Sequence, residues 1–197
     1  MKIYSQNSEQ NYIVEHFGQR TGRLLDIGAY DGLTFSNARR LLELGWHGIL
    51  IEPAPSVIPK LRANVECFGD RVEVMTCAVG TADGVIDFYD NAGAVATTSK
   101  AHVAKWRGQT RFSICSVTQV TPATLLDLIG SQFDFINIDV EGANIDVMRL
   151  MPWHRLMPEL SMVCVEHDGH KQEIEEMLKD YGFKTIHENR ENLILTR

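Results

Sequence analysis

The stretch Leu24–Arg39, LLDIGAYDGLTFSNAR, decides how the rest of the chain is read. An apolar run from Arg23 ends at Asp26-Ile27-Gly28, a tight turn follows, and a helix is expected over Leu33–Gly45. Strand, glycine turn and helix in that order form the first unit of a parallel α/β sheet. The crevice at the strand's carboxyl end is where such sheets bind ligands. A dinucleotide fingerprint, GxGxxG counted from Gly28, needs glycines at 30 and 33, where Tyr30 and Leu33 stand. The turn also carries Asp31. Two like charges about 4 Å apart repel by about 4 kcal/mol at an effective dielectric near 20, so a pyrophosphate is poorly served here.

A ligand with a ribose and positive charge fits better. Glu52 closes the next apolar run, about 24 residues beyond Gly28, where a carboxylate can accept from both ribose hydroxyls. S-adenosylmethionine carries an adenosine, a sulfonium and an amino group, and Asp26 and Asp31 are read as acids facing its cationic half. The alternative reading makes Gly28 and Gly32 a plain tight turn and the acids helix caps.

Outward from this unit the alternation continues. HGILIEP (47–53) reads as a strand, PSVIPKLRANVECF (55–68) as a helix, and RVEVMTCAVG (71–80) as a third strand. GVIDFYD (84–90) alternates like a strand, and residues 91–111 read as a long loop, a candidate substrate lid carrying Lys100, Lys105, Arg107 and Arg111 around Trp106. A strand and then a helix from Pro122 follow. FDFINIDVEGA (133–143) and LSMVCVEHDG (160–169) supply two further core strands. After a helix over KQEIEEMLKDYG (171–182), FKTIHENRENLILTR (183–197) reads as a terminal antiparallel hairpin.

The 197 residues suit one α/β domain, and 44% hydrophobic residues can fill its core. A net charge of -7 argues against nucleic acid as a partner. The cysteines at 67, 77, 115 and 164 form no CxxC pair, so neither a zinc knuckle nor a redox dithiol is expected. The polar start MKIYSQNSEQ and the lack of any long apolar run lead to the expectation of a cytoplasmic protein with no membrane partner.

LLDIGAYDG, ILIEP, CAVG and FINIDVEGA in this order resemble the FkbM family of S-adenosylmethionine-dependent methyltransferases, and YSQNSEQNYI is similar to that family's amino-terminal segment, with Gln10 in place of the usual acid. The resemblance implies the class I methyltransferase fold: a Rossmann-like three-layer sandwich on a seven-stranded, mostly parallel sheet with an antiparallel last strand. It implies cofactor contacts from Asp26, Gly28, Ala29, Tyr30, Asp31, Gly32, Glu52 and Pro53, with Cys77, Ala78 and Val79 beside the adenine and Asp139 at the mouth. Gln6 and Glu9, within an amino-terminal segment 1–20, would cover the cofactor.

Transfer of a methyl group to a hydroxyl needs alignment and a place for the proton. Two strand exits supply acids: Asp139 and Glu141 at one, and Glu166, His167, Asp168 and His170 at the next. His167, with an ordinary pKa near neutrality, is the expected base beside Asp139 and Glu141. A divalent cation held by Asp139, Glu166 and His167 is the metal alternative. The acceptor expected is a sugar, glycan or other small molecule, recognised by loops or with a second subunit of a homo-oligomer. A non-catalytic nucleoside-binding module and a nicotinamide-dependent oxidoreductase are the competing readings.

Overall fold

The first strand, β1 (Arg23–Ile27), is buried on both faces, as a central strand of a parallel sheet must be. In the computed structural model, which describes residues 2–197, it follows helix α1 (Glu9–Phe17) and lies between two parallel neighbours. On one side is β2 (His47–Ile51), reached through α2 (Arg39–Glu43). On the other, much later in the chain, is β7 (Phe135–Ile138). Ile27 pairs with Ile51 and with Ile138, so the three strands end level. Strand order therefore reverses at β1, and the crevice opens there.

Beyond β2, helix α3 (Ile58–Val65) and a 3-10 turn lead to β3 (Val72–Met75), the sheet edge. The expected third strand over 71–80 breaks here. Its second half becomes β4 (Ala78–Val79), which joins β5 (Gly84–Asp90) and β6 (Ser113–Val120) in a separate three-stranded sheet of order β4-β6-β5. The cause is packing: Ala78 sits with Phe88, Val117, Ala54 and Val57 in their own apolar cluster. Between β5 and β6 the segment expected as pure loop holds a short helix, α4 (Lys100–Lys105), capped by Ser99, whose side chain accepts from the His102 N–H.

Helix α5 (Pro122–Ile129) precedes β7; α6 (Asn144–Leu150) and α7 (Trp153–Leu156) follow it and lead to β8 (Met162–Glu166). Helix α8 (Lys171–Lys179) leads to the hairpin β9 (Lys184–Glu188) and β10 (Asn192–Thr196). The seven-stranded order is β3-β2-β1-β7-β8-β10-β9, with β10 antiparallel to both its neighbours, as the resemblance implies.

Period-two alternation sorts the strand residues onto two faces, both covered. Leu25, Ile27, Ile49, Ile51, Ile136 and Val163 fill one core; Leu24, Leu50, Phe135, Met162 and Ile194 fill the other. Each such side chain stabilises the fold by about 1.5–3 kcal/mol. Cys77 and Cys164 are buried within these cores, and all four cysteines are free thiols. Among the described residues no helix is long and apolar enough to cross a membrane.

The helix expected over Leu33–Gly45 forms only at Arg39–Glu43. Upstream, Asp31 Oδ1 captures the N–H groups of Leu33 (2.9 Å) and Thr34 (2.6 Å), and Phe35 takes a left-handed φ of 59° to pair with Ser5. The amino-terminal segment thus replaces the first turns of that helix.

Candidate active site

Three cavities open side by side at the carboxyl ends of β1, β2, β7 and β8. The first, about 510 Å³, lies at the end of β2 against Ile51, Glu52, Pro53, Cys77, Ala78, Val79 and Phe88. The second, about 470 Å³, lies at the end of β1 against Gln6, Asp26, Gly28, Ala29, Tyr30, Asn37 and Asn137. The third, about 1490 Å³, opens outward against Lys105, Trp106, Glu166, Asp168, Glu191 and Asn192. Asp139, Glu141 and Ala94 line all three.

Glu52, 6% exposed, is held by backbone: Tyr30 N–H donates to Oε2 (2.9 Å) and Ala54 N–H to Oε1 (2.8 Å). Each oxygen keeps a lone pair for a ligand. Burial pushes its pKa up to about 7; the two amides oppose the rise, while Asp90 and Asp26 add to it. Asp26 is held by a relay. Asn137 donates to Asp26 Oδ1 (2.8 Å), and Asn37 donates to Asn137 Oδ1 (3.0 Å). The carboxylate can only accept, so it fixes the direction of both amides. Burial raises Asp26 to about 6.

Gly28 couples the two strand ends. Its φ is 89°, and a Cβ there would lie 1.7 Å from the Asp139 carbonyl oxygen, so no other residue fits. Across that contact the acids crowd. Asp139 is raised well above the ordinary range, first by burial and then by Glu166, Glu141 and Asp26, and its Oδ1 has no donor. Glu166 is raised by burial and by Asp168; one amide, Asn144 Nδ2, serves both acids at 2.7 and 3.0 Å. Glu141, in a left-handed conformation with φ 48°, is pushed up to about 8 by burial, then Glu166 and Asp168, with Lys105 opposing. Its Oε2 lies 3.2 Å from His102 Nε2, off the line of a hydrogen bond. Burial and Lys105 lower His102, which keeps it neutral.

Several expectations change. Asp31 and Gly32 stand off the cavity walls, because the Asp31 carboxylate is turned onto Leu33, Thr34 and Lys60 Nζ (2.7 Å). The argument against a pyrophosphate therefore rests on Asp26. The His167 ring is turned away from this rim, where a base was expected. Gly169 N–H donates to its Nδ1 (3.0 Å) and Nε2 meets the Asn189 carbonyl (3.2 Å), so the ring braces a turn and lines none of the three cavities. The set Asp139, Glu166 and His167 accordingly does not converge, and among the described residues no group of three or more His, Cys, Asp or Glu side chains is arranged to hold a metal ion. Gln6 reaches the second and third cavities, whereas Glu9 is fully buried and accepts from Asn189 and Asn192. Of the basic residues in 91–111, Lys105 lines the third cavity beside Trp106; Lys100, Arg107 and Arg111 line none.

Sequence reasoning missed Asn37, Asn137, Asn144, Asn192 and His102. Asn137 had a signal: it is the one polar residue in the strand FINI. The others are chosen by tertiary contact alone.

S-adenosylmethionine fits this chemistry. A buried acid beside the second cavity suits an ammonium or sulfonium, Glu52 suits a pair of hydroxyls, and the first cavity's apolar wall suits a base. The fold is similar to that of solved methyltransferases. The ribosomal protein L11 methylase from Lactobacillus delbrueckii subsp. bulgaricus is 13% identical, with 96% of this chain and 76% of that one covered and a TM-score of 0.53. Precorrin-6y C5,15-methyltransferase from Geobacter metallireducens GS-15 is 12% identical, with 98% and 91% covered and a TM-score of 0.51. Streptococcus pneumoniae Sp1610 in complex with S-adenosyl-L-methionine is 15% identical, with 97% and 73% covered and a TM-score of 0.51. At these identities the likeness concerns the fold, which is that of class I S-adenosylmethionine-dependent methyltransferases. A comparison with curated proteins gave no match. The sequence itself matches the methyltransferase FkbM domain over residues 26–185, most of its length, and the chain belongs to that family.

Proposed function

We propose that the protein methylates a hydroxyl group of a sugar, glycan or other small molecule, with S-adenosylmethionine in the first and second cavities and the acceptor in the third. The observation that carries this is the position of Asp139 and Glu141, which line all three cavities and so stand where donor and acceptor must meet. When bound, the cofactor would supply an electrophilic methyl for the acceptor oxygen, with the electron pair of the broken S–C bond staying on sulfur.

The chain's own residues supply the rest. Glu52 holds the ribose and Asp26 the amino group, each fixed in advance by its backbone or amide partners. Asp139, its carboxyl held well above the ordinary range by burial and by Glu166 beside it, bounds the methyl. Glu141 takes the acceptor's proton; a carboxylate pushed up to about 8 is a far stronger base than an ordinary one.

Thermal unfolding with each ligand tests the cofactor. S-adenosylhomocysteine at about 100 times its dissociation constant should add about 2.7 kcal/mol, and NAD nothing. A shift with NAD alone overturns the proposal. Cofactor binding with no methyl transfer to any acceptor would instead support a nucleoside-binding module.

A further inference from the structure

The oxygens without a donor are not scattered. Among the described residues, three buried side-chain oxygens make no hydrogen bond: Asn37 Oδ1, Asp139 Oδ1 and Asn192 Oδ1. All three belong to residues of the third cavity; Asn37 and Asp139 also wall the second, so Asn192 Oδ1 alone is peculiar to the third. Their amide orientations are fixed, because Asn37 Nδ2 donates to Asn137 and Asn192 Nδ2 to Glu9 (2.8 Å). Asn37 and Asn192 are 5% and 6% exposed, so water does not freely satisfy them. A buried acceptor left unpaired is costly, and a ligand that brings donors removes the cost.

The same wall carries Glu141, Glu166, Asp168 and Glu191. Lys105 and Arg190, both exposed, are its two cations, and neither forms an ion pair with any of the four. Asn192, Glu166, Asp168 and Glu191 line neither inner cavity, so the cofactor's charges do not account for them. One buried group points the other way: Trp106 Nε1 is a donor without an acceptor. The missing ligand thus brings a donor for Asn192, carries positive charge for acids that have only neutral amide partners, and has at least one acceptor oxygen. A Trp face beside acids is also a good seat for an ammonium.

We infer that the methyl acceptor is a protonated amino-polyol, of the amino-sugar or aminocyclitol kind, with its ammonium among Glu166, Asp168 and Glu191 and one hydroxyl at Asp139 and Glu141. This deepens the function proposed above and rests on it. The acids select the acceptor by charge, while the methylated atom stays oxygen.

The test is calorimetric titration of the S-adenosylhomocysteine complex with matched probes at neutral pH: glucosamine against N-acetylglucosamine and glucose, and 2-deoxystreptamine against its di-N-acetyl derivative. Free amines should bind at least 10-fold more tightly than their acetylated or neutral partners. Asp168→Asn and Glu191→Gln should each reduce that preference severalfold and leave S-adenosylhomocysteine affinity unchanged. Equal binding of acetylated and free forms, no binding by any free amine, or Mg2+ binding at the acids in place of amines overturns the inference. Loss of S-adenosylhomocysteine binding by the unaltered protein would instead strike the methyltransferase reading.

Discussion

Two acidic regions face each other across Gly28, and they are built on opposite plans. At the ends of β1 and β2, Asp26 and Glu52 are fixed by donors from the chain: Asn137 for one, the Tyr30 and Ala54 amides for the other. At the ends of β7 and β8, Asp139, Glu141, Glu166 and Asp168 press on one another, and one Asp139 oxygen has no donor. Pre-satisfied acids present a fixed surface to a ligand that does not change. Crowded acids hold protons they would otherwise release, which is the condition for moving one. On the function proposed above, the fixed acids hold the cofactor and the crowded ones meet the acceptor within a single crevice.

The largest effect should come from breaking the crowded side. Glu141→Gln keeps shape and removes the proton acceptor; turnover is expected to fall by about 100-fold or more while cofactor affinity changes little. Asp139→Asn should slow turnover comparably. Rates and calorimetric titration on the same folded preparations decide it, and near-normal turnover in both would place the chemistry elsewhere. On the fixed side the loss should be in affinity. Glu52→Ala removes charge-assisted bonds of about 1.5–3 kcal/mol, so S-adenosylhomocysteine should bind about 10- to 100-fold more weakly. Glu52→Gln, which retains one acceptor for the turn, guards against misfolding as the cause. A third expectation concerns pH. Asp26, Glu52 and Glu141 titrate in the folded protein at about 6, 7 and 8, above their unfolded values, so the native state holds protons that the unfolded chain has released. Stability of the ligand-free protein should therefore fall as pH rises from about 5 to 8. Denaturant melts across that range should show the fall, and Glu141→Gln should flatten its upper end. The free enzyme's kcat/KM should rise through about 8, because the base must lose its proton. The smallest effect on chemistry is expected for His167→Ala. Turnover should stay within a few-fold, while the fold loses about 1 kcal/mol for each hydrogen bond of the ring.

The sequence makes the strand-end acids legible because each follows directly from local order: an apolar run stops, and the next polar residue faces the crevice. Asp26, Glu52, Asp139 and Glu141 are all of this kind, and the geometry brings them to adjoining walls. The antiparallel hairpin is legible for the same reason, since ENREN between two apolar runs is a local signal. What is hidden depends on distant partners. The donor that orients Asp26 comes from Asn137, 111 residues away, and Asn137 is in turn oriented by Asn37, 100 residues back along the chain. Helix α2 is short because residue 5 pairs with residue 35, which no periodicity within Leu33–Gly45 reveals. The orientation of His167 is hidden because the ordinary pKa of an imidazole says which proton a ring could carry and nothing about where the ring points. The direction of the Asp31 carboxylate is hidden in the same way, since it is claimed by Lys60 and its own turn.

The tie at Glu9 bears on how the molecule is made. Glu9 accepts from Asn189 and Asn192, and Gln6 and Asn7 donate to Glu191, contacts separated by 180 to 185 residues of chain. During synthesis none of these can form until residues 189–192 have left the ribosome, and closing so long a loop is slow compared with forming a helix or hairpin. Gln6, which walls the second and third cavities, is therefore set in place last. The nascent chain can assemble β1, β2 and β7 beforehand, but the crevice they frame stays open on one side until residues 6–9 and 189–192 meet over it.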